Sequence, residues 1–233
     1  MKWILAIAAV MLLVGCGAPK PAQPVAKPPA EPPAMAADTT QPAAPADTTA
    51  AKSATPPPAA KGMLKDTLVV TKLPENLYMT IKVKDYGTMK IQFYTTDAPK
   101  NVANVANLAI KGFYNGLIFH RLIPGFMIQG GDPSGNGTGG PGYTVPAEIK
   151  RRHDKGSMAM ARTGDQVNPE RHSSGSQFYI CFKPTPQLDG QYTVIGQLKE
   201  GMDVLDKLEK VQTGAMDKPA KPVVMETVTV STE

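Results

Sequence analysis

The 233-residue sequence predicts an all-β domain, a closed or sandwiched antiparallel sheet with two capping helices, behind a long leader. Three observations lead there. Short apolar stretches such as "SMAMA", "SQFYICF" and "YTVIGQL" recur between Gly and Pro turns. Two neighbouring segments alternate apolar and polar residues with a period of two, the mark of half-buried strands. Only two segments carry the 3.6-residue period of an amphipathic helix.

In chain order, residues 1–15 read as a signal peptide: Lys2 precedes an apolar run from Trp3 to Val14 that ends in "LVGC". The run is shorter than the ~20 residues a membrane helix needs. Leu13, Gly15 and Cys16 resemble the bacterial lipobox, which implies cleavage before Cys16 and lipidation of its thiol. The chain is then expected to be exported and held at the cell envelope, facing the periplasm with the outer membrane slightly favoured. Residues 16–63 are rich in Pro, Ala and Thr, and 12 of the 23 prolines fall between Pro19 and Pro58. So few large apolar side chains cannot offset the entropy of ordering, so this stretch reads as a disordered tether. The folded domain is expected over residues 64–233.

Within it, "LYMTIKV" places Met79, Ile81 and Val83 on one face, and "MKIQFY" does the same with Met89, Ile91 and Phe93; with "KDYGT" between them they predict a hairpin. "TDAPKNVANVANLAIKG" predicts a helix with Asp97 as its N-cap, Val102, Val105 and Leu108 on one face and Gly112 as its stop. "GMDVLDKLEKV" supplies the second helix through Met202, Leu205 and Leu208, and "VVMETVTV" a closing strand.

Charge and cysteines exclude several functions. The net charge is +5, but residues 76–233 hold 18 Lys and Arg against 15 Asp and Glu, too even a balance for a nucleic-acid surface. "KRRH" at 150–153 reads as a solvated loop. With Cys16 acylated, Cys181 has no intrachain partner and is expected as a small buried hydrophobe. Gly135, Gly137 and Gly140 fit the G-x-G-x-x-G spacing, yet "PGYTVPAE" follows and its prolines obstruct the helix that a dinucleotide site requires. His120, His153 and His172 are too irregularly spaced for a local metal site.

Three separated motifs, "FHRLIPGFMIQGGD", "SSGSQFYICF" and "PQLDGQYTVIG", occur in an order that closely resembles the cyclophilin family of peptidyl-prolyl isomerases, over about Tyr78 to Val230. The resemblance implies a closed eight-stranded antiparallel barrel capped by two α-helices, with its site on the outer face. It also implies cis/trans isomerisation of X-Pro bonds in unfolded or loop polypeptide, without cofactor or metal; a monomer is expected. Arg121, Phe126 and Gln129 match the catalytic positions. Met127, Gly137, Ala159, Met160, Ala161, Gln177, Tyr179, Leu188 and Tyr192 match substrate-binding ones, with Ala159 to Ala161 as the edge that pairs with substrate backbone. A lone arginine would more often sit in a surface ion pair, so Arg121 draws its reading from the motif around it. His120 is expected as a hydrogen-bonded structural residue. A non-catalytic proline-peptide binder of the same fold is the alternative.

The departures are specific. Tyr179 stands where the family usually has Phe, Tyr192 replaces a common histidine and Met160 an asparagine. Gln187 replaces a frequent tryptophan used in binding cyclosporin, so weak inhibition is expected. The 162–175 loop is longer than usual and is expected to reshape the groove beside Gln177.

Overall fold

The computed structural model describes residues 67–233; the expected signal peptide, Cys16 and the expected tether lie outside the described residues. Ten strands and two helices follow one another: β1 Tyr78–Val83, β2 Gly87–Phe93, α1 Pro99–Ile110, β3 Ile118–Ile123, β4 Met127–Gly130, β5 Thr144–Val145, β6 Ser157–Met160, β7 Ser173–Ser174, β8 Phe178–Cys181, β9 Val194–Glu200, α2 Met202–Leu208 and β10 Val223–Ser231. Eight of the strands close into an antiparallel barrel in the order β1-β10-β3-β4-β8-β6-β9-β2, as expected. The short β5 and β7 form a separate two-stranded sheet that the sequence did not announce.

The expected hairpin is β1 and β2, paired from Tyr78 opposite Gln92 to Val83 opposite Gly87. Its alternating side chains Met79, Ile81, Val83, Met89, Ile91 and Phe93 all enter one core, together with Leu122, Ile128, Met158, Phe178 and Ile180 from the other side of the barrel. Each such side chain contributes about 1.5–3 kcal/mol by leaving water. The interior is therefore filled, and no ligand site can lie inside.

Both helices lay apolar faces on this core, through Val102, Val105, Ala106 and Ala109 of α1 and Val204, Leu205 and Leu208 of α2. The start of α1 differs from expectation. Asp97 makes no cap; its carboxylate instead accepts a hydrogen bond from Arg151. The open N–H groups of Lys100 and Asn101 donate to the carboxylate of Glu148, at 3.2 and 3.0 Å. A helix leaves its first N–H groups unpaired and its N-terminal dipole favours negative charge, so a carboxylate delivered from a distant loop serves as well as a local cap. At the start of α2, Gly201 has φ +90°, and a Cβ there would stand 2.3 Å from the Thr88 carbonyl oxygen, so only glycine fits.

The basic run at 150–153 is loop, but only partly solvated. Arg151 stacks over Tyr94, 4.2 Å from its ring centre, and His153 is buried. Cys181 is buried as expected, and burial pushes its thiol up to about 11. Among the described residues no helix is long and apolar enough to cross a membrane.

Candidate functional site

Strand side chains alternate between faces, and here the two faces carry separate apolar clusters. Leu122, Ile128, Met158, Met160, Phe178 and Ile180 point into the barrel. Met127, Ala159, Tyr179 and Cys181 lie on the other face, in a second cluster with Leu188, Tyr192 and Val194. Phe126, from the turn between β3 and β4, packs against that second cluster. These residues form an apolar recess on the outside of the barrel.

Arg121 reaches this face through a break in the alternation. Phe119 and Leu122 both point inward, so a regular strand would also turn Arg121 inward, two residues after Phe119. The register of β3 against β4 shifts between Phe119 and Arg121, and the extra residue turns Arg121 out. Arg121 then sits opposite Gln129, Gln129 opposite Tyr179, and Tyr179 opposite Ala159. That is one row across four adjacent strands, about 4.8 Å apart, with a cation at one end and the apolar recess at the other.

Beside the row opens a cleft of about 870 Å³, lined among others by His120, Arg121, Gln129, Gly137, Ala161 and Gln177. Ala161 belongs to both cleft and recess. Gln177 is fixed: its Nε2 donates to the carbonyls of Gly137 and Gly139 at 2.9 and 2.8 Å, and its Oε1 accepts from Gln129 Nε2 at 2.9 Å. The Oε1 of Gln129 is buried without a partner among the described residues. Gly137 (φ +92°) is held by its N–H to Asp132, whose carboxylate also accepts the N–H groups of Ser134 and Asn136. The glycine run is thus a loop wound around one carboxylate, with no helix after it.

Arg121 does form an ion pair. Its Nε lies 3.2 Å from Asp217 Oδ2, while its two terminal nitrogens bond no described residue. Asp217 sits in a 3-10 turn, Ala215–Asp217, where Met216 and Asp217 both have positive φ. Met216, Asp217 and Lys218 all line the cleft.

Beneath the recess, the hydroxyl of Tyr179 lies 2.9 Å from Nε2 of His153. On the other side of that ring, Asp189 lies 2.9 Å from Nδ1 and accepts the His153 backbone N–H at 2.8 Å. Burial pushes the Tyr179 hydroxyl far up, so it stays protonated, and burial holds His153 below its ordinary value despite the opposing carboxylate. The consistent arrangement has the proton on Nδ1 facing Asp189 and Tyr179 donating to bare Nε2. Tyr192, the opposite wall, carries Arg162 over its ring at 4.7 Å. Arg162 in turn donates to the Gln191 carbonyl and pairs with Asp165, which also binds Arg171. The long 162–175 loop is tied in this way to the recess wall.

Of the residues singled out from the sequence, Arg121, Gln129, Gly137, Ala161 and Gln177 line the cleft, and Phe126, Met127, Ala159, Tyr179, Leu188 and Tyr192 form the recess. Two expectations are corrected. The stretch Ala159 to Ala161 is no open edge, because β6 lies between β8 and β9; the N–H groups of Met160 and Ala161 are taken by Thr193 and Gln177, and the Met160 side chain points into the core. His120 is buried, but neither ring nitrogen has a partner among the described residues, and burial holds it below its ordinary value. Sequence reasoning missed Asp217, His153 and Asp189, which come from distant loops with no local signal. Asp132, followed by "PSGNG", carries the ordinary signature of a turn-forming aspartate and was open to reading. Among the described residues, no cluster of three or more His, Cys, Asp or Glu side chains could hold a metal ion.

A filled barrel whose outer face joins a half-buried guanidinium, paired amides and an apolar recess along one cleft defines a class: a protein that takes polypeptide against its surface and acts on it there. The family model of cyclophilin-type peptidyl-prolyl cis-trans isomerases matches residues 78–230, and the chain belongs to that family and is an enzyme of that activity. A peptidyl-prolyl cis-trans isomerase of Synechococcus elongatus is 51% identical over 115 residues, 49% of this chain and 75% of that protein. Its counterpart in Helicobacter pylori is 44% identical over 144 residues, 60% of this chain and 84% of that protein. The crystal structure of a cyclophilin-type isomerase from Cryptosporidium parvum superposes with a TM-score of 0.62 at 32% identity, covering 66% of this chain and 96% of that one.

Proposed function

We propose that the chain is a membrane-tethered isomerase that turns X-Pro bonds in unfolded or loop segments of exported proteins, with Arg121 as the donor that lowers the barrier. Rotation about an X-Pro bond breaks amide resonance over a barrier of ~18–20 kcal/mol and takes tens to hundreds of seconds unaided. No bond breaks, so no nucleophile is needed. As the amide twists, its nitrogen turns pyramidal and regains a lone pair. A donor aimed at that nitrogen stabilises the twisted state more than either planar one, and only such differential stabilisation speeds a reaction.

The row described above supports this reading. With the proline ring in the recess of Phe126, Met127, Tyr179 and Leu188, Arg121 stands two strands from Tyr179 along the row, with its terminal nitrogens unpaired among the described residues. By the family match Gln129 bonds the substrate backbone, once its buried Oε1 turns toward the cleft that the residue lines. A second structure of the Cryptosporidium relative, 31% identical with a TM-score of 0.60, was solved in the presence of the dipeptide Ala-Pro. We read the recess here as the place for that ring. One charge-assisted hydrogen bond supplies only ~1.5–3 kcal/mol, so restraint of the substrate and the partly dry cleft supply the remainder.

The lipobox-like "LVGC" with its signal run supports export, lipidation at Cys16 and an envelope location. The long Pro- and Ala-rich stretch supports a domain standing off the membrane, and we take it to act as a monomer. The deciding experiment is a coupled isomerisation assay on an X-Pro peptide, comparing wild type with Arg121→Ala; equal rates would remove Arg121 from the mechanism. Labelling with a radioactive fatty acid in a bacterial host, lost in Cys16→Ser, tests the anchor.

A further inference from the structure

The cleft reads as a site for X-Pro segments, and the same chain carries a run of them. Residues 41–58 are "QPAAPADTTAAKSATPPP", with five X-Pro bonds and charges only at Asp47 and Lys52. This stretch lies outside the described residues. What the structure fixes is the place where the chain leading from it joins the domain.

Leu68 is docked on α1 in both directions: its N–H donates to Asn107 Oδ1 at 2.7 Å and its carbonyl accepts from Asn107 Nδ2 at 2.9 Å. Three residues earlier on α1, Asn104 donates to the Gly175 carbonyl at 2.6 Å and accepts from the Tyr143 hydroxyl at 2.7 Å. Gly175 and Tyr143 both line the cleft. Residues three apart on a helix are neighbours on one face, ~4.5 Å apart along its axis, so the chain joins the domain on the same face of α1 that holds the cleft rim. Counting back from Leu68, Pro58 is ten residues away and Pro45 is 23. At ~3.3 Å per residue these can extend ~33 and ~75 Å, against a radius of gyration near ~15 Å for a domain of this size. Every one of the five bonds can reach the cleft.

We propose that residues 41–58 occupy the cleft of their own domain, as an intramolecular substrate and as a competitor of external ones; this rests on the isomerase reading above. Ala44–Pro45 is the best-matched bond. Its neighbours Ala43, Ala44 and Ala46 are small, and the cleft beyond the recess is walled by the bare backbone of Gly135, Gly137, Gly139, Gly140 and Gly175. Asp47 follows two residues later, and the cleft is lined by Arg121, Arg162 and Lys218 against the single acid Asp217. Tethering gives an effective concentration on the order of 1 mM. That is comparable with the upper end of ordinary KM values, so the cleft is filled about half the time and the apparent KM of an external peptide rises about twofold.

The test uses the intact chain in mild detergent, with carbon-13-labelled proline, and follows two readouts: cis/trans exchange at Ala44–Pro45 by exchange NMR, and turnover of an external X-Pro peptide. Exchange is expected at least ~100-fold above the uncatalysed rate, whose time constant is tens to hundreds of seconds. It should be unchanged on tenfold dilution and lost in Arg121→Ala. Replacing Pro42, Pro45, Pro56, Pro57 and Pro58 together by Ala should lower the apparent KM of the external peptide about twofold and leave kcat unchanged. External turnover with uncatalysed exchange at Pro45 overturns self-occupancy while leaving the isomerase reading intact. Exchange that slows in proportion to dilution overturns it too, by assigning the effect to contact between molecules. Absence of external turnover overturns the isomerase reading and this inference together.

Discussion

The ion pair between Arg121 and Asp217 allows two opposite outcomes, and its geometry decides between them. If the pair held the guanidinium away from substrate, removing the carboxylate would activate the enzyme. If it only steadies the fork, removal would do little. Two unit charges 3.2 Å apart attract by about 1.3 kcal/mol in water. The side chains are 25% and 44% exposed, so water screens them, and ordering both side chains consumes part of the gain. Exposed pairs of this kind are worth roughly 0–1 kcal/mol, at most a fivefold change in a population. The hydrogen bond that Arg121 would give the twisted amide is charge-assisted, about 1.5–3 kcal/mol or 10- to 150-fold in rate. Asp217→Asn is the clean perturbation, because Asp217 has φ +58° and asparagine tolerates that conformation as well as aspartate does, whereas alanine would add strain. In a coupled assay with an Ala-Pro peptide, kcat/KM of Asp217→Asn is expected within about fivefold of wild type. Arg121→Ala should lose about 10- to 150-fold. A rise of more than tenfold in Asp217→Asn would show a sequestered arginine and refute the reasoning.

Three further outcomes follow from the same contacts. Tyr179→Phe keeps the ring in the recess but leaves Nε2 of His153 buried and unpaired, a cost of about 1–3 kcal/mol; calorimetry should show Tm lower by roughly 2–12 °C with activity within about twofold, and an unchanged Tm would mean that the hydroxyl makes no such bond. His120 and His153 are both held below their ordinary values by burial, so below about pH 6.5 the unfolded chain takes up protons that the folded one refuses. Stability is then full above that pH and falls as pH drops, by up to ~1.4 kcal/mol per pH unit for each histidine; a urea midpoint at pH 5.5 equal to that at pH 7.5 would contradict it. Gln187 is exposed and offers no indole to cyclosporin, so calorimetry should give a Kd weaker than about 1 μM, and a submicromolar value would disprove that expectation.

What the sequence made legible was whatever local periodicity and short motifs control. The hairpin of β1 and β2 was readable because a period of two assigns each side chain to a face within six or seven residues. The row of Arg121, Gln129 and Tyr179 was reachable only through the family resemblance, since it needs the register of three strands from two separate stretches of chain. The misreadings are all non-local. Asp97 had the chemistry of a cap, but Glu148, 51 residues away by number, reached the helix first. The edge reading of Ala159 to Ala161 came with the family resemblance, and nothing in "SMAMA" could correct it by saying that strands lie on both sides. His120 was expected to be satisfied, yet it occupies the residue by which β3 slips against β4.

That slip links the fold to the reaction. A closed barrel of this size fills its interior with side chains, so a polar function has to be placed outside, and regular alternation decides which residues get there. Along β3, alternation alone would keep Phe119 and Arg121 on the same face, and Phe119 is needed in the core, where it packs edge-on against Phe178. Without the shift, the strand would either bury an arginine among Leu122, Ile128 and Phe178 or expose Phe119. A buried unpaired charge costs several kcal/mol, and a lost aromatic core contact costs about 3–5. One inserted residue removes the conflict, at the price of a histidine whose two ring nitrogens bond nothing in the described protein. The bulge, and not the identity of residue 120, reconciles the two faces: replacement of His120 by Asn keeps the bulge, and deletion leaves Phe119, Arg121 and Leu122 to alternate in, out and in as a regular strand, so both variants keep the guanidinium outside. Neither variant should therefore show the fall of several kcal/mol in unfolding free energy that a buried unpaired arginine would cause, and such a fall in the deletion variant, read from its denaturant midpoint, would show that removing residue 120 turns Arg121 inward.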